Sequence, residues 1–223
     1  MADQLPWDDL FEDGRFPWKR PDPAVVRIAP RWRKLGLSRI HDLGCGAGRH
    51  MSFLLTQGFT VVGSDFSRSG LAACCEQLDT AALPRILVRA EMTGLPFRSG
   101  TFDATVATNV LNHGTRATLQ ETIDEIHRTL RPGAEILLTV LNTWDWRFGS
   151  GEEVERNSWV LAVGPEAGIL HHFFDQDDLR GWLSAFQILD LKRVRGVLDL
   201  GAIPGDQPIS RDAWQVLARK SRR

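Results

Sequence analysis

From residue 38 to residue 141 the chain alternates short β-branched or aliphatic runs with segments of helical periodicity, and this alternation restricts the fold more than any other feature. Ser38–Leu43 reads as a strand, and Arg49–Gln57 as a helix stopped by Gly58. Thr60–Ser64 gives a second strand. Ser67 then stands where it can cap a helix whose apolar Leu71, Cys75 and Leu78 fall at i, i+4 and i+7. Arg85–Arg89, Phe102–Thr108 and Ile136–Leu141 read as the third, fourth and fifth strands. Before the fifth, Thr118-Leu-Gln-Glu121 fits a capping box, Leu119, Ile123, Ile126 and Leu130 form one face, and Arg131-Pro132-Gly133 ends the helix. Strands separated by helices pair in parallel through crossovers, which predicts an open α/β sheet with helices on both faces.

Two segments break the rhythm. Residues 1–34 carry Pro6, Pro17, Pro21, Pro23 and Pro30 with aromatics between them, and residues 142–174 form a long connection with three Trp. A connection of that length and aromatic content is expected to pack and to serve function. Asp175 then caps a helix with Leu179, Trp182, Leu183 and Phe186 inward, and Ile188–Leu191 and Val194–Leu200 read as two closing strands. With 223 residues, 43% of them hydrophobic, the chain is expected to form one domain over 1–223. Within it, 35–141 is the core, 1–34 and 142–174 cover it, and 175–223 closes the sheet.

Several classes drop out. Lys and Arg number 27 against 28 Asp and Glu, so no global charge favours nucleic acid or an anionic membrane. The first residues have neither the basic nor the apolar region of a signal peptide, and the longest apolar run, Ile136–Leu141, is of strand length. The three cysteines (Cys45, Cys74, Cys75) suggest neither a disulfide framework nor zinc-site spacing. A cytoplasmic protein is expected.

The chemistry gathers at His41-Asp42-Leu43-Gly44-Cys45-Gly46-Ala47-Gly48, where the first strand meets the first helix. Glycines there permit a tight turn and close approach to a ligand, beside the unpaired N–H groups of a helix N-terminus. Asp42 would repel a pyrophosphate and suits an ammonium, and the spacing is G-x-G-x-G instead of the dinucleotide G-x-G-x-x-G. Asp65 ends the second strand, placed for both hydroxyls of a ribose, and is expected to be an exposed contact that holds up no core. Glu91 can accept from an exocyclic amine while Met92 packs on a purine. An ammonium, a ribose and an adenine together describe S-adenosylmethionine better than NAD.

These stretches make the chain resemble the class I S-adenosylmethionine-dependent methyltransferases over about residues 35–141. The matching motifs are Asp42-Leu-Gly-Cys-Gly-Ala-Gly48, Val61-Val-Gly-Ser-Asp65, Ala90-Glu91-Met92, Gly94-Leu-Pro-Phe97, Ser99-Gly-Thr-Phe-Asp103 and Leu130-Arg-Pro-Gly133. The resemblance implies a Rossmann-like, seven-stranded, mostly parallel sheet with a terminal antiparallel hairpin. It implies contacts to the methionine part from Asp42, Gly44, Cys45, Gly46 and Gly48, to the ribose from Asp65, and to the adenine from Glu91 and Met92. Phe66 and Asn109 complete the implied cofactor set. Glu91 departs from the more usual Asp, and Ala134 stands where a second glycine is common.

Methyl transfer from a sulfonium needs alignment and exclusion of water more than acid–base help, so catalytic residues are sparsely encoded. His113, just past the fourth strand, is the leading base candidate, and His172 in His171-His172-Phe173-Phe174 a second. No metal is expected from His171, His172 and Asp175. Thr108-Asn-Val-Leu-Asn-His113 lacks the Asn/Asp-Pro-Pro-aromatic signature of amino-methylating nucleic-acid enzymes, and the basic tail from Arg219 reads as a solvated terminus. Trp7-Asp-Asp-Leu-Phe11 to Trp18 is similar to the lead-in of small-molecule methyltransferases of the thiopurine and tellurite type. All eight Trp lie outside residues 33–143, which suggests an aromatic-walled pocket for an apolar or flat small-molecule acceptor. A non-catalytic cofactor-binding module and, less well, an NAD-dependent dehydrogenase remain alternatives.

Overall fold

The computed structural model describes residues 6–12, 20–162, 166–198 and 209–222. Five strands, β1 (Arg39–Leu43), β2 (Thr60–Asp65), β3 (Leu87–Arg89), β4 (Phe102–Thr108) and β5 (Leu130–Leu141), run parallel as neighbours. β9 (Phe186–Leu198) and β10 (Ile209–Lys220) add an antiparallel pair, giving the seven-stranded order β3-β2-β1-β4-β5-β10-β9. The fold is the Rossmann-like one expected.

The helices divide between the two faces because the strand side chains alternate. In β5, Ile136, Leu138 and Val140 join the cluster under α5 (Arg116–Thr129) and α6 (Gln176–Trp182). Leu137 joins the opposite cluster, under α2 (Pro23–Lys34), α3 (Arg49–Thr56) and α4 (Arg68–Thr80). No helix among the described residues is long and apolar enough to cross a membrane.

Several boundaries differ from expectation. α5 is capped by Thr115, whose hydroxyl accepts from Thr118 N–H at 3.2 Å, so the helix starts before the expected capping box. α2 went unread among the prolines of 1–34, although Asp22-Pro23 carries its signal. Asp22 Oδ1 accepts from Ala24 N–H at 2.8 Å, and Pro23, which lacks an N–H, opens the helix. The two expected closing strands are one, β9, and its antiparallel partner β10 takes in Arg219 and Lys220 from the start of the expected solvated tail, while Ser221 and Arg222 are exposed. Lys220 Nζ donates to the His127 and Leu130 carbonyls at 2.7 and 2.8 Å, a cation on the exposed carbonyls of the α5 C-terminus. The 142–174 connection holds a small antiparallel sheet, β6 (Gly151–Glu155), β7 (Ser158–Leu161) and β8 (Leu170–His172).

Glu135 ties three elements together. Its side chain is 1% exposed and accepts from both Arg31 and Trp32 of α2 and from Arg219 of β10, the Trp32 Nε1–H at 2.9 Å. Burial alone would push this carboxyl up, but the bonds from Arg31, Arg219 and Trp32 outweigh burial and hold it below the ordinary carboxylate range. Glu135→Ala should destabilise the fold by about 2–4 kcal/mol in urea unfolding, since it orphans a buried indole N–H and unpairs two guanidinium groups. A folded carboxyl pKa below the unfolded one means this stability is present above the unfolded value and is lost as pH falls through the folded one. The gap between wild type and Glu135→Ala should therefore shrink on acidification; a gap independent of pH would contradict the ion-pair account.

Candidate active site

All five parallel strands deliver their carboxyl ends to one edge of the sheet, and the order reverses between β1 and β4, which opens a crevice there. A cavity of about 320 Å³ fills it, lined by Gly44 and Gly46 after β1, Asp65 and Phe66 at β2, Glu91 and Met92 after β3, and Asn109 and His113 after β4. Eight of the expected residues thus share one wall. Cys45 borders an adjoining chamber of about 50 Å³.

Asp42 and Gly48 lie behind that wall. Asp42 is 1% exposed, its Oδ2 has no hydrogen-bond partner among the described residues, and Oδ1 lies 3.6 Å from His50 Nδ1. A buried carboxylate oxygen with an open acceptor position suits a cationic donor. Gly48, at φ +84°, begins α3, and a Cβ there would meet Cys74 Sγ at 2.4 Å. Its role in the turn is steric. Gly44 has φ +63°, and a Cβ would sit 2.4 Å from Val110 Cγ2. The Cys45 thiol is pushed well up by its bond with Cys74 and by burial, so it is no thiolate nucleophile.

Asp65 corrects the expectation of an exposed contact. Its Oδ2 accepts from Gly46 N–H at 2.7 Å and its Oδ1 from Ser67 N–H at 2.9 Å, so the carboxylate braces the glycine turn from below. Burial raises its pKa, against the pull of those amides. Asn109 has φ +60°, a left-handed conformation rare for a side-chain-bearing residue, at the tip of β4.

α1 (Pro6–Glu12) lies over the cavity and contributes Trp7 and Phe11 to its lining. It is anchored through Asp8 Oδ1, which accepts from Ser67 Oγ at 2.6 Å and Ser69 N–H at 3.2 Å at the start of α4. Residues 1–34 therefore divide: α1 covers the cavity, whereas α2 buries Val25, Ile28 and Trp32 against the sheet. Trp18 lies outside the described residues.

His113 borders the large cavity and both smaller chambers. Trp7 packs edge-on to its ring at 4.6 Å and His171 at 4.5 Å, and its Nδ1 is buried with no hydrogen-bond partner among the described residues. Burial, with the nearby His171, pushes its pKa down to about 3, so the imidazole is neutral. Behind it, His171 Nε2 lies 3.0 Å from Glu166 Oε2, which also accepts from Arg147 Nη1 at 3.1 Å. Burial alone would raise Glu166, yet its bond with His171 and the charges around it bring it down to about 2. His113, Glu166 and His171 place donor atoms within 4.8 Å of one another, a spacing open to a cation, but the guanidinium on Glu166 already supplies the counter-charge. Sequence reasoning missed Glu166 and Arg147, which stand 53 and 34 positions after His113 and meet it only because β8 bridges the β4–α5 loop at His113 and His171.

His172 is not brought into this group. It is fully buried, with Nδ1 2.8 Å from Ser158 Oγ, Nε2 3.4 Å from Asp178 Oδ2 and its ring stacked 5.0 Å from Trp182, and it lines none of these cavities. The expected tryptophan wall is absent too. Among the described residues only Trp7 lines the cavity, while Trp32 and Trp214 are buried in the sheet layers and Trp144 and Trp146 face solvent.

A family model described as a methyltransferase domain matches residues 40–133. An uncharacterized methyltransferase of Synechocystis sp. is 34% identical over 111 residues, 49% of this chain and 50% of that one. These matches and the fold support a class I S-adenosylmethionine-dependent methyltransferase. The family's cofactor is S-adenosylmethionine, and the unsatisfied Asp42 oxygen, the Cβ-free turn at Gly44 and the cavity beside Asp65 and Glu91 fit it. The Drosophila melanogaster tRNA N(3)-methylcytidine methyltransferase Mettl2 is 27% identical over 196 residues, 80% of this chain and 59% of its own length. The chain thus spans about half to three-fifths of the length of these relatives. The solved Burkholderia thailandensis 1,6-didemethyltoxoflavin-N1-methyltransferase superposes with a TM-score of 0.69 at 22% identity, covering 96% of this chain and 84% of that one.

Gly44→Ala tests the turn directly. It should cost about 1–3 kcal/mol of stability through the left-handed backbone and the clash with Val110. Calorimetric affinity for S-adenosylhomocysteine should fall roughly tenfold or more. Wild-type behaviour in both would mean the turn tolerates a side chain after all.

Proposed function

We propose that this protein transfers a methyl group from S-adenosylmethionine to a small-molecule acceptor, with His113 taking up the acceptor's proton. The observation that carries this is the shared wall: residues after four successive strands line one cavity, and His113 continues from it into two chambers. When bound, S-adenosylmethionine supplies an electrophilic methyl on a sulfonium. Asp42 offers its open oxygen to the ammonium, with Gly44, Cys45, Gly46 and Gly48 shaping the turn around the methionine part. Asp65 accepts from the ribose, while Phe66, Glu91 and Met92 hold the adenine and Asn109 closes the wall. Trp7 and Phe11, carried by α1, exclude water over the reacting atoms.

An imidazole pushed to about 3 is a weak base, yet it suffices here. Once methylated, an O–H acceptor is an oxonium far more acidic than such an imidazolium, so neutral His113 can take its proton as the methyl arrives. The small-molecule reading is supported by the toxoflavin-precursor methyltransferase of similar fold. The likeness to a tRNA methyltransferase over most of the chain favours a second reading, an RNA base as acceptor.

Turnover of S-adenosylmethionine across thiols, phenols, amines, carboxylates and total tRNA separates these readings: methyl incorporation into tRNA alone would displace the first, and turnover with none would leave a binding module. Asp65→Asn should lose most S-adenosylhomocysteine affinity, and unchanged calorimetric binding in that variant would sink the cofactor assignment. His113→Ala should lower kcat by about 10²–10⁴. Because the folded His113 pKa is depressed, its base form persists as pH falls, so the acid limb of kcat/KM should lack an inflection near about 6.5, the ordinary histidine value. An inflection there that disappears in His113→Ala would refute this.

A further inference from the structure

We propose that the small chamber lined by Arg147 and Arg211 binds a carboxylate of the acceptor. This deepens the preceding reading and rests on it: the charged end of the acceptor is anchored there, and its reacting end meets His113 at the border of the cofactor cavity.

The chamber measures about 20 Å³ and is lined by Asn109, Asn112, His113, Leu141, Arg147, Glu166 and Arg211. That is room for a small polar group. The two guanidinium groups reach it from separate elements, Arg147 from the turn after β5 and Arg211 from β10, and their side chains are only 9% and 12% exposed.

Of the nearby carboxylates, Asp145 and Glu166 are committed elsewhere and Asp22 pairs with Arg211 only at the 4.0 Å limit of an ion pair. Asp145 accepts from Arg147 at 2.8 and 3.3 Å and from Asp212 N–H at 3.0 Å. Glu166 is shared between Arg147 and His171. Asp22 spends Oδ1 on the α2 cap and brings Oδ2 no nearer than 4.0 Å to Arg211. Among the described residues Arg211 makes one hydrogen bond, to Thr139 Oγ1 at 3.2 Å, although a guanidinium offers five N–H donors.

Burying such donors without acceptors is costly, and burying like charges together more so. Arg211 registers that cost: burial lowers it to about 10, opposed by Asp22, with Arg147 and Arg49 pressing the same way. A planar carboxylate would answer it with two acceptor oxygens matched to the guanidinium fork. A neutral amide of the same shape would present one acceptor and bring no charge.

The test is calorimetric titration of the full chain with acetate against acetamide and benzoate against benzamide, each with and without S-adenosylhomocysteine. At least one acid should bind tenfold or more tighter than its amide. That preference should vanish in Arg211→Gln and be retained at least in part in Arg211→Lys, which keeps the charge. Retained S-adenosylhomocysteine affinity in the variants reports an intact fold. Equal binding of acids and amides, absence of acid binding, or a preference that survives Arg211→Gln would overturn the proposal. A wild-type chain that failed to bind S-adenosylhomocysteine would overturn the cofactor reading instead, while the acid–amide comparison without it still decides this one.

Discussion

The order of the parallel strands governs everything above them. β1 lies between β2 and β4, so the connections leaving β1 and β4 depart to opposite faces and leave a gap at the carboxyl edge. Side chains at the strand ends fill that gap: Asp65 bracing the turn, Glu91 and Met92 to one side, Asn109 and His113 to the other. The buried strand faces hold the strand ends in register, which fixes where each wall residue leaves the sheet. Glu135 extends this order outward, because one carboxylate locks α2 and β10 to β5.

The decorations complete the site by different means. α1 is held to the N-terminus of α4 by hydrogen bonds to Asp8, a local attachment that brings Trp7 over His113. The β6–β8 sheet is stitched to the β4–α5 loop, with His172 N–H donating to the Asn112 carbonyl at 2.7 Å. That stitch sets His171 and Glu166 behind His113 and turns a single histidine into a charged, enclosed environment. The small chamber beyond His113 is therefore lined by Arg147 and Arg211, in contrast to the aromatic wall that the tryptophan distribution suggested.

Local signals carried the sequence reading where local physics decides. The strand-turn-helix at Asp42–Gly48 was legible because only glycine tolerates the positive φ and close approach of Gly44 and Gly48. Ser67 and Asp175 were legible as caps because an N-cap is a short-range hydrogen bond. The α5 face was legible from its periodicity. The reading failed where pairing is distant. β10 carries polar Arg211, Asp212 and Gln215 among its apolar residues and reads poorly as a strand, yet twelve of its residues pair with β9. Its basic end looked solvated because its acceptors, Glu135 and the α5 carbonyls, lie some 80 to 90 residues away.

The sequence by itself determined the sheet class, the glycine turn and the carboxylates of the cofactor side, because each follows from the backbone needs of a few adjacent residues. Only the tertiary structure decided the surroundings of His113. Arg147, Glu166, His171 and Arg211 carry no motif, and they meet His113 through a small sheet and a terminal hairpin. Burial there keeps His113 neutral, and among the described residues Arg211 makes one hydrogen bond.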